Sequence, residues 1–272
     1  VIKMAHRAQK GSFIAAKNRH KIARLRSEIA RFEPVVESGP HVLTGFSEID
    51  GYLQRHVAGA GLALGGVHEI IGERSGDMSA ALGFADYLSK RFIRQGADED
   101  ASAACLLYGQ THASVRENGQ PYGAALSHAE NLIYLDGVKL PDLMWAGEEA
   151  LSCEAIGCII LASVDEAPDF TFSRRLSMAA RSVERPLIMT LGAAAAGTAS
   201  AATSQWRVKA IAHNGWHLKL TRLRISHTQN PPHQGWQVFP QAQKISSQTS
   251  ADAARDSFMA LPSLSSTQSA SQ

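Results

Sequence analysis

The stretch Val67-His68-Glu69-Ile70-Ile71-Gly72, continued by Glu73-Arg74-Ser75-Gly76-Asp77-Met78, decides the fold. Val67–Ile71 is a short, mainly apolar run without clean alternation, and Gly72 closes it. From Met78 to Phe92, Leu82, Ala85, Leu88 and Phe92 return at helical spacing on one face. A strand, a glycine-bearing turn and a helix follow one another within 26 residues. That succession opens an α/β unit whose strand is covered on both faces.

The pattern repeats downstream. Ala104–Tyr108 and Leu132–Leu135 read as buried strands, and a helix over Leu143–Leu151 precedes the strand Cys158–Ala162. A helix from about Thr171 to Val183 then leads to the strand Leu187–Leu191. Continuous apolar runs between helices predict a doubly wound, mainly parallel sheet flanked by helices. Past Leu191 the composition changes. Gly192–Ser204 is nearly all Ala, Gly, Ser and Thr, which predicts a flexible loop. Three strand-like runs around Trp206–Ile211, His217–Ile225 and Trp236–Phe239 predict an antiparallel C-terminal extension, with turn signals at Asn214-Gly215 and Pro231-Pro232. The expected division is a basic helical arm over 1–36, a core over 40–240 and a Ser/Gln-rich disordered tail over 241–272.

Charge is unevenly spread over the 272 residues. Nine Lys/Arg and two Glu give residues 1–33 a net +7, leaving −5 on the remainder of a chain whose total is +2. Within the arm, Ile22, Leu25, Ile29 and Phe32 form an apolar stripe on a basic helix that Pro34 ends, which makes them candidates for an interface. Arg174, Arg175, Arg181 and Arg185 fall largely on one side of a helix and are the candidates for nucleic-acid contact. The acidic segment Asp165–Asp169 and the uncharged loop 193–204 offer a strand of nucleic acid neither charge nor stacking. Cys105, Cys153 and Cys158 form no CxxC pair, and none of the eleven histidines stands at ligand spacing from two cysteines, so no metal site is expected. Apolar runs too short to span a membrane and no signal-peptide stretch predict a cytoplasmic protein.

Thr44-Gly45-Phe46-Ser47-Glu48-Ile49-Asp50, then Gly65–Gly72, resembles the opening of the RecA core, and the order of elements follows RecA to about Phe239. The closer resemblance is to the ImuA family, RecA-like proteins of the bacterial SOS mutagenesis cassette. It rests on Gly66-Val67-His68-Glu69, Glu148–Cys153, Ser173-Arg174-Arg175-Leu176 with Ala179-Ala180, Ser204–Val208, Trp216–Leu220 and Gly235-Trp236. A RecA-like fold is what the likeness implies.

Against that likeness the nucleotide site is degenerate. A phosphate loop needs Gly, four residues, then Gly-Lys-Ser/Thr: amides to cradle phosphate, lysine to neutralise it, a hydroxyl for Mg²⁺. Gly72 and Gly76 are separated by three residues, Asp77 stands in the lysine position and Met78 in the hydroxyl position. Replacing attraction by repulsion at about 4 Å is a swing on the order of 8 kcal/mol at an effective dielectric near 20. The metal aspartate that closes the central strand is replaced by Ala162, and Gly109-Gln110-Thr111 lacks the catalytic glutamate. The resemblance therefore implies a non-catalytic protein without a cofactor, with Arg74 or Lys90 as the remaining routes to an anion. Arg222 and Arg224 match the two basic residues that in RecA reach the next subunit's nucleotide, which makes them interface candidates toward a RecA filament. The family likeness implies an accessory role in translesion synthesis, with an ImuB-like protein and an error-prone DNA polymerase subunit as partners. The alternatives are a RecA-like ATPase with an unusual nucleotide site and a DNA-binding module driven by the basic arm.

Overall fold

The computed structural model describes residues 39–57, 59, 61–96, 104–123, 126, 129–224 and 235–240. The chain divides into Val1–Phe239 and Pro240–Gln272, and all that follows concerns the first unit. The arm stripe Ile22, Leu25, Ile29 and Phe32 and the tail beyond Gln241 lie outside the described residues.

The protein is α/β, with a mainly parallel eight-stranded sheet flanked by helices. Its strands are β3 (Val67–Gly72), β4 (Cys105–Thr111), β5 (Leu132–Val138), β6 (Ile156–Ser163), β7 (Leu187–Leu191), β8 (Ser204–Ile211), β9 (Gly215–Leu223) and β10 (Trp236–Val238). They lie in the order β10-β9-β8-β3-β7-β6-β4-β5. The six from β8 to β5 are mutually parallel, whereas β9 and β10 are antiparallel. β3, β6 and β7 are buried along nearly their whole length, as the unbroken apolar runs require. The sheet overturns the expectation that all three C-terminal strands form an antiparallel extension. β8 belongs to the parallel sheet beside β3, and the antiparallel extension is only β9 and β10.

Side-chain alternation along the strands divides the core in two. On one face Ile70, Leu106, Ile160, Ile188, Trp206 and Val208 pack against Phe84, Ala85, Leu88 and Phe92 of α2 (Met78–Gly96). On the other, Val67, Ile71, Ile159, Leu161, Leu187 and Met189 pack against α4 (Leu140–Leu151) and α5 (Phe170–Ser182). The remaining elements are a two-stranded ribbon, β1 (His41–Val42) with β2 (Leu62–Ala63), and the helices α1 (Ser47–His56) and α3 (His112–Asn118). The indole of Trp206 is fully buried, and Trp216 and Trp236 join it, Phe84, Tyr87 and Tyr52 in one aromatic cluster.

The segment after β7 overturns the expectation of a flexible loop. It opens with a 3-10 turn at Ala193–Ala195 and then runs beneath the sheet, with Ser200, Ala201, Ala202 and Thr203 buried. Its amides are used: Ala201 N–H donates to Ser173 Oγ at 3.0 Å and Thr203 N–H to the Val67 carbonyl at 2.8 Å. Small side chains that permit flexibility also let a backbone lie flat against a sheet.

Candidate functional site: a phosphate-type loop closed on itself

β3 delivers the chain to Gly72, and the turn Ser75–Asp77 carries it into α2. This is the strand–turn–helix geometry of an anion cradle at a helix N-terminus. In such a cradle the loop amides must face the ligand. Here Glu73 N–H donates to the Val208 carbonyl of β8 at 2.8 Å, and Asp77 N–H to the Arg74 carbonyl at 3.0 Å. The buried carboxylate of Asp77 turns back into the turn. Oδ2 accepts Arg74 N–H at 3.1 Å, and Oδ1 accepts Ala210 N–H of β8 at 3.0 Å. The loop thus carries its own anion, in favourable register with the α2 dipole.

The expectation of a carboxylate that repels phosphate is overturned at Asp77. Asp77 occupies the expected position, but its charge is not held out toward a ligand; it is consumed by the backbone that a ligand would need. Met78 is buried and contributes only apolar surface. The Arg74 side chain is exposed. Lys90 lies twelve residues into α2, about 18 Å along the axis, and cannot serve the loop. Burial, with Arg94 nearby, also lowers its pKa.

The neighbouring strand ends hold no metal-binding carboxylate either. Ala162 is fully buried near the end of β6, in register with Gln110 of β4 and Thr190 of β7. Gln110 is itself tied down: its Nε2 donates to Ser114 Oγ at 3.0 Å and its Oε1 accepts the Tyr134 hydroxyl at 2.9 Å. Burial and Asp136 push the Tyr134 hydroxyl up to about 12. Thr111 spends its hydroxyl oxygen capping α3 through Ser114 N–H. A triphosphate with Mg²⁺ does not fit these residues, because the Glu73, Arg74 and Asp77 amides are taken and the hydroxyl and carboxylate positions are apolar or amide side chains. Among the described residues, no group of three or more His, Cys, Asp or Glu could hold a metal ion.

Arg222 and Arg224 come together elsewhere. Arg222 Nη1 and Arg224 Nη2 both donate to the Ser200 carbonyl, each at 3.1 Å. Beside them Glu69 and Gln205 sit in one row across β3 and β8, with Arg222 next in register on β9. Gln205 Nε2 donates to Glu69 at 2.7 Å, and the Ser200 hydroxyl donates to the same carboxylate. The row lies three residues below Gly72 on β3, about 10 Å down the strand, and Arg222 is two strands aside. These arginines therefore do not serve their own chain's loop. Nothing in the sequence pointed to Glu69 and Ser200 as their surroundings, because the contact joins residues 131 apart.

The four arginines of the basic patch separate. Arg175 pairs with Glu148 of α4 at 2.5 Å and lies over the Phe172 ring at 5.4 Å. Arg185 donates to the Leu151 carbonyl at the end of α4. Arg174, Arg175 and Arg181 are all exposed on α5, and of the three Arg175 is the one drawn into an ion pair. Among the described residues no helix is long and apolar enough to cross a membrane. No protein-family model and no curated protein matches the chain.

Proposed function

We propose that the chain is a non-catalytic, RecA-like accessory protein of SOS-induced translesion DNA synthesis, as its resemblance to the ImuA family implies. It works through contacts with an ImuB-like protein, an error-prone polymerase subunit and a RecA filament. A parallel sheet with the loop-bearing β3 inside it, followed by an antiparallel edge, supports the RecA-like part of this reading. The carrying observation is the Asp77 carboxylate, which accepts the Arg74 and Ala210 amides and so fills the turn that would hold a phosphate. A fold that keeps this turn yet seals it retains the scaffold for its surfaces. Arg222 and Arg224, remote from their own loop, are the side chains offered to a RecA protomer. Charge reversal of both should weaken RecA binding.

Calorimetric titration with ATP and Mg²⁺ tests the first half. No saturable binding is expected up to about 1 mM, a threshold of about 4 kcal/mol. Micromolar affinity, or ATP turnover that disappears when Asp77 is replaced, would favour the ATPase reading instead. Co-purification of an ImuB-like protein and the polymerase subunit from damage-treated cells tests the second half, and recovery of neither would sink it.

A further inference from the structure

α4 and α5 lie side by side on the same face of the sheet. Each leads into one of the parallel neighbours β6 and β7, so the two helices run in the same direction. α4 buries Leu143, Met144, Gly147, Ala150 and Leu151, which turns Asp142, Trp145 and Glu149 to solvent along a single stripe. α5 buries Ser173, Leu176, Ser177 and Ala180, which turns out Arg174, Met178 and Arg181. Trp145 is 62% exposed and Met178 is 61% exposed, an unusual display of large apolar side chains. The Arg175–Glu148 ion pair closes the seam between the helices. Because Arg175 points toward α4, Arg174 and Arg181 lie on the side of α5 away from it. By the same helical geometry, Asp142 and Glu149 lie on the side of α4 away from α5, and Trp145 lies nearer the seam.

Across the face, then, the order is acidic edge, tryptophan, ion pair, methionine, basic edge. Asp142 and Glu149 are seven residues apart, as are Arg174 and Arg181, a separation of about 10 Å on either helix. From these matched spacings we infer that the α4–α5 face binds a second copy of this chain. A two-fold axis lying in the interface and parallel to the helices sets α4 of one chain on α5 of the other. The acidic edge then meets the basic edge twice, Trp145 meets Met178 twice, and the ion pairs face one another at the axis. Thioether against indole is a favourable contact, and a tryptophan inside a charged rim is the usual anchor of an interface. The alternative axis, across the helices, would put acid on acid and base on base. The charge pattern selects the first axis. Single-sign partners such as nucleic acid are disfavoured, because the face carries both signs in equal number. This inference is independent of the nucleotide reading.

Sedimentation velocity of the full chain, from about 5 to 100 µM, should show a reversible dimer that weakens as salt screens the edges. Arg174→Glu with Arg181→Glu makes both edges acidic, and Asp142→Arg with Glu149→Arg makes both edges basic. Each double variant alone should be monomeric, with unchanged far-UV circular dichroism. Mixed in equal amounts, the two should recover the dimer mass, a result that misfolding cannot imitate. A wild-type chain that stays monomeric throughout overturns the inference. So does either variant dimerising like wild type, or a mixture of folded variants that stays monomeric.

Discussion

Asp77 shows how far a single residue can be read and where the reading stops. Its position, after Gly76 and before the α2 helix, is plain in the chain, and so is the exchange of a cation for an anion. Which way a short side chain turns is not, because one of its two donors is the Ala210 N–H, 133 residues away. The structure replaces repulsion at a pocket by satisfaction of a turn, and this has a measurable cost. Asp77→Ala leaves the Arg74 and Ala210 N–H groups without their acceptor, a loss of about 2 kcal/mol or more in unfolding free energy. Urea unfolding should show a lower midpoint at unchanged slope. Asp77→Asn keeps one acceptor oxygen and should fall between the two. An alanine variant as stable as wild type would mean that the carboxylate does not hold the turn.

At the scale of elements, β3, β4, β6 and β7 and the helices α2, α4 and α5 were legible because they bury continuous faces, with errors of a few residues at their ends. β5 shows in its apolar run, but the expectation of a buried strand fails there, because β5 is the edge of the sheet and none of its residues is buried. α1, α3 and the β1–β2 ribbon were not, being short and set by local caps and contacts more than by periodicity. The segment 192–203 was misread for a different reason. Ala, Ser and Gly are the composition of a loose linker and also of a backbone pressed against a sheet, and only burial distinguishes them. Gly192 marks where the pressing begins: a Cβ there would lie 1.9 Å from the Val164 carbonyl oxygen. That oxygen is backbone and cannot swing away. Gly192→Ala should therefore force the segment off the β6–α5 connection, at a cost of about 1–3 kcal/mol. Elastase, which cuts after alanine, should leave residues 193–203 of the wild type intact and cleave them in the variant. Equal resistance in both would show that the segment is not held by this close approach.

For the molecule as a whole, the joint that ties the separate layers together is His68. Its ring is fully buried on β3 and stacks on Phe92 of α2 with centroids 5.1 Å apart. Nε2–H donates to the Ala63 carbonyl of the β1–β2 ribbon at 2.9 Å. Nδ1, 2.8 Å from Ser204 Oγ, then accepts the serine hydroxyl, and the same oxygen accepts Trp206 Nε1–H at 3.0 Å. The set is complete only with a neutral ring, since a proton on Nδ1 would leave the serine hydroxyl hydrogen displaced. Burial accordingly lowers the His68 pKa from 6.5 to about 4. Between those values the unfolded chain binds the proton and the folded chain does not, so acid favours unfolding. The stabilisation is whole above about pH 6.5 and is lost as pH falls toward 4, a difference on the order of 3 kcal/mol. His68→Gln cannot titrate and should lose that slope, while every other acid-sensitive group stays in place. Urea midpoints at several pH values between 7.5 and 4 compare the two proteins directly. If wild type and variant lose stability in parallel across that window, the ring is not the joint, and the layers are held together by packing alone.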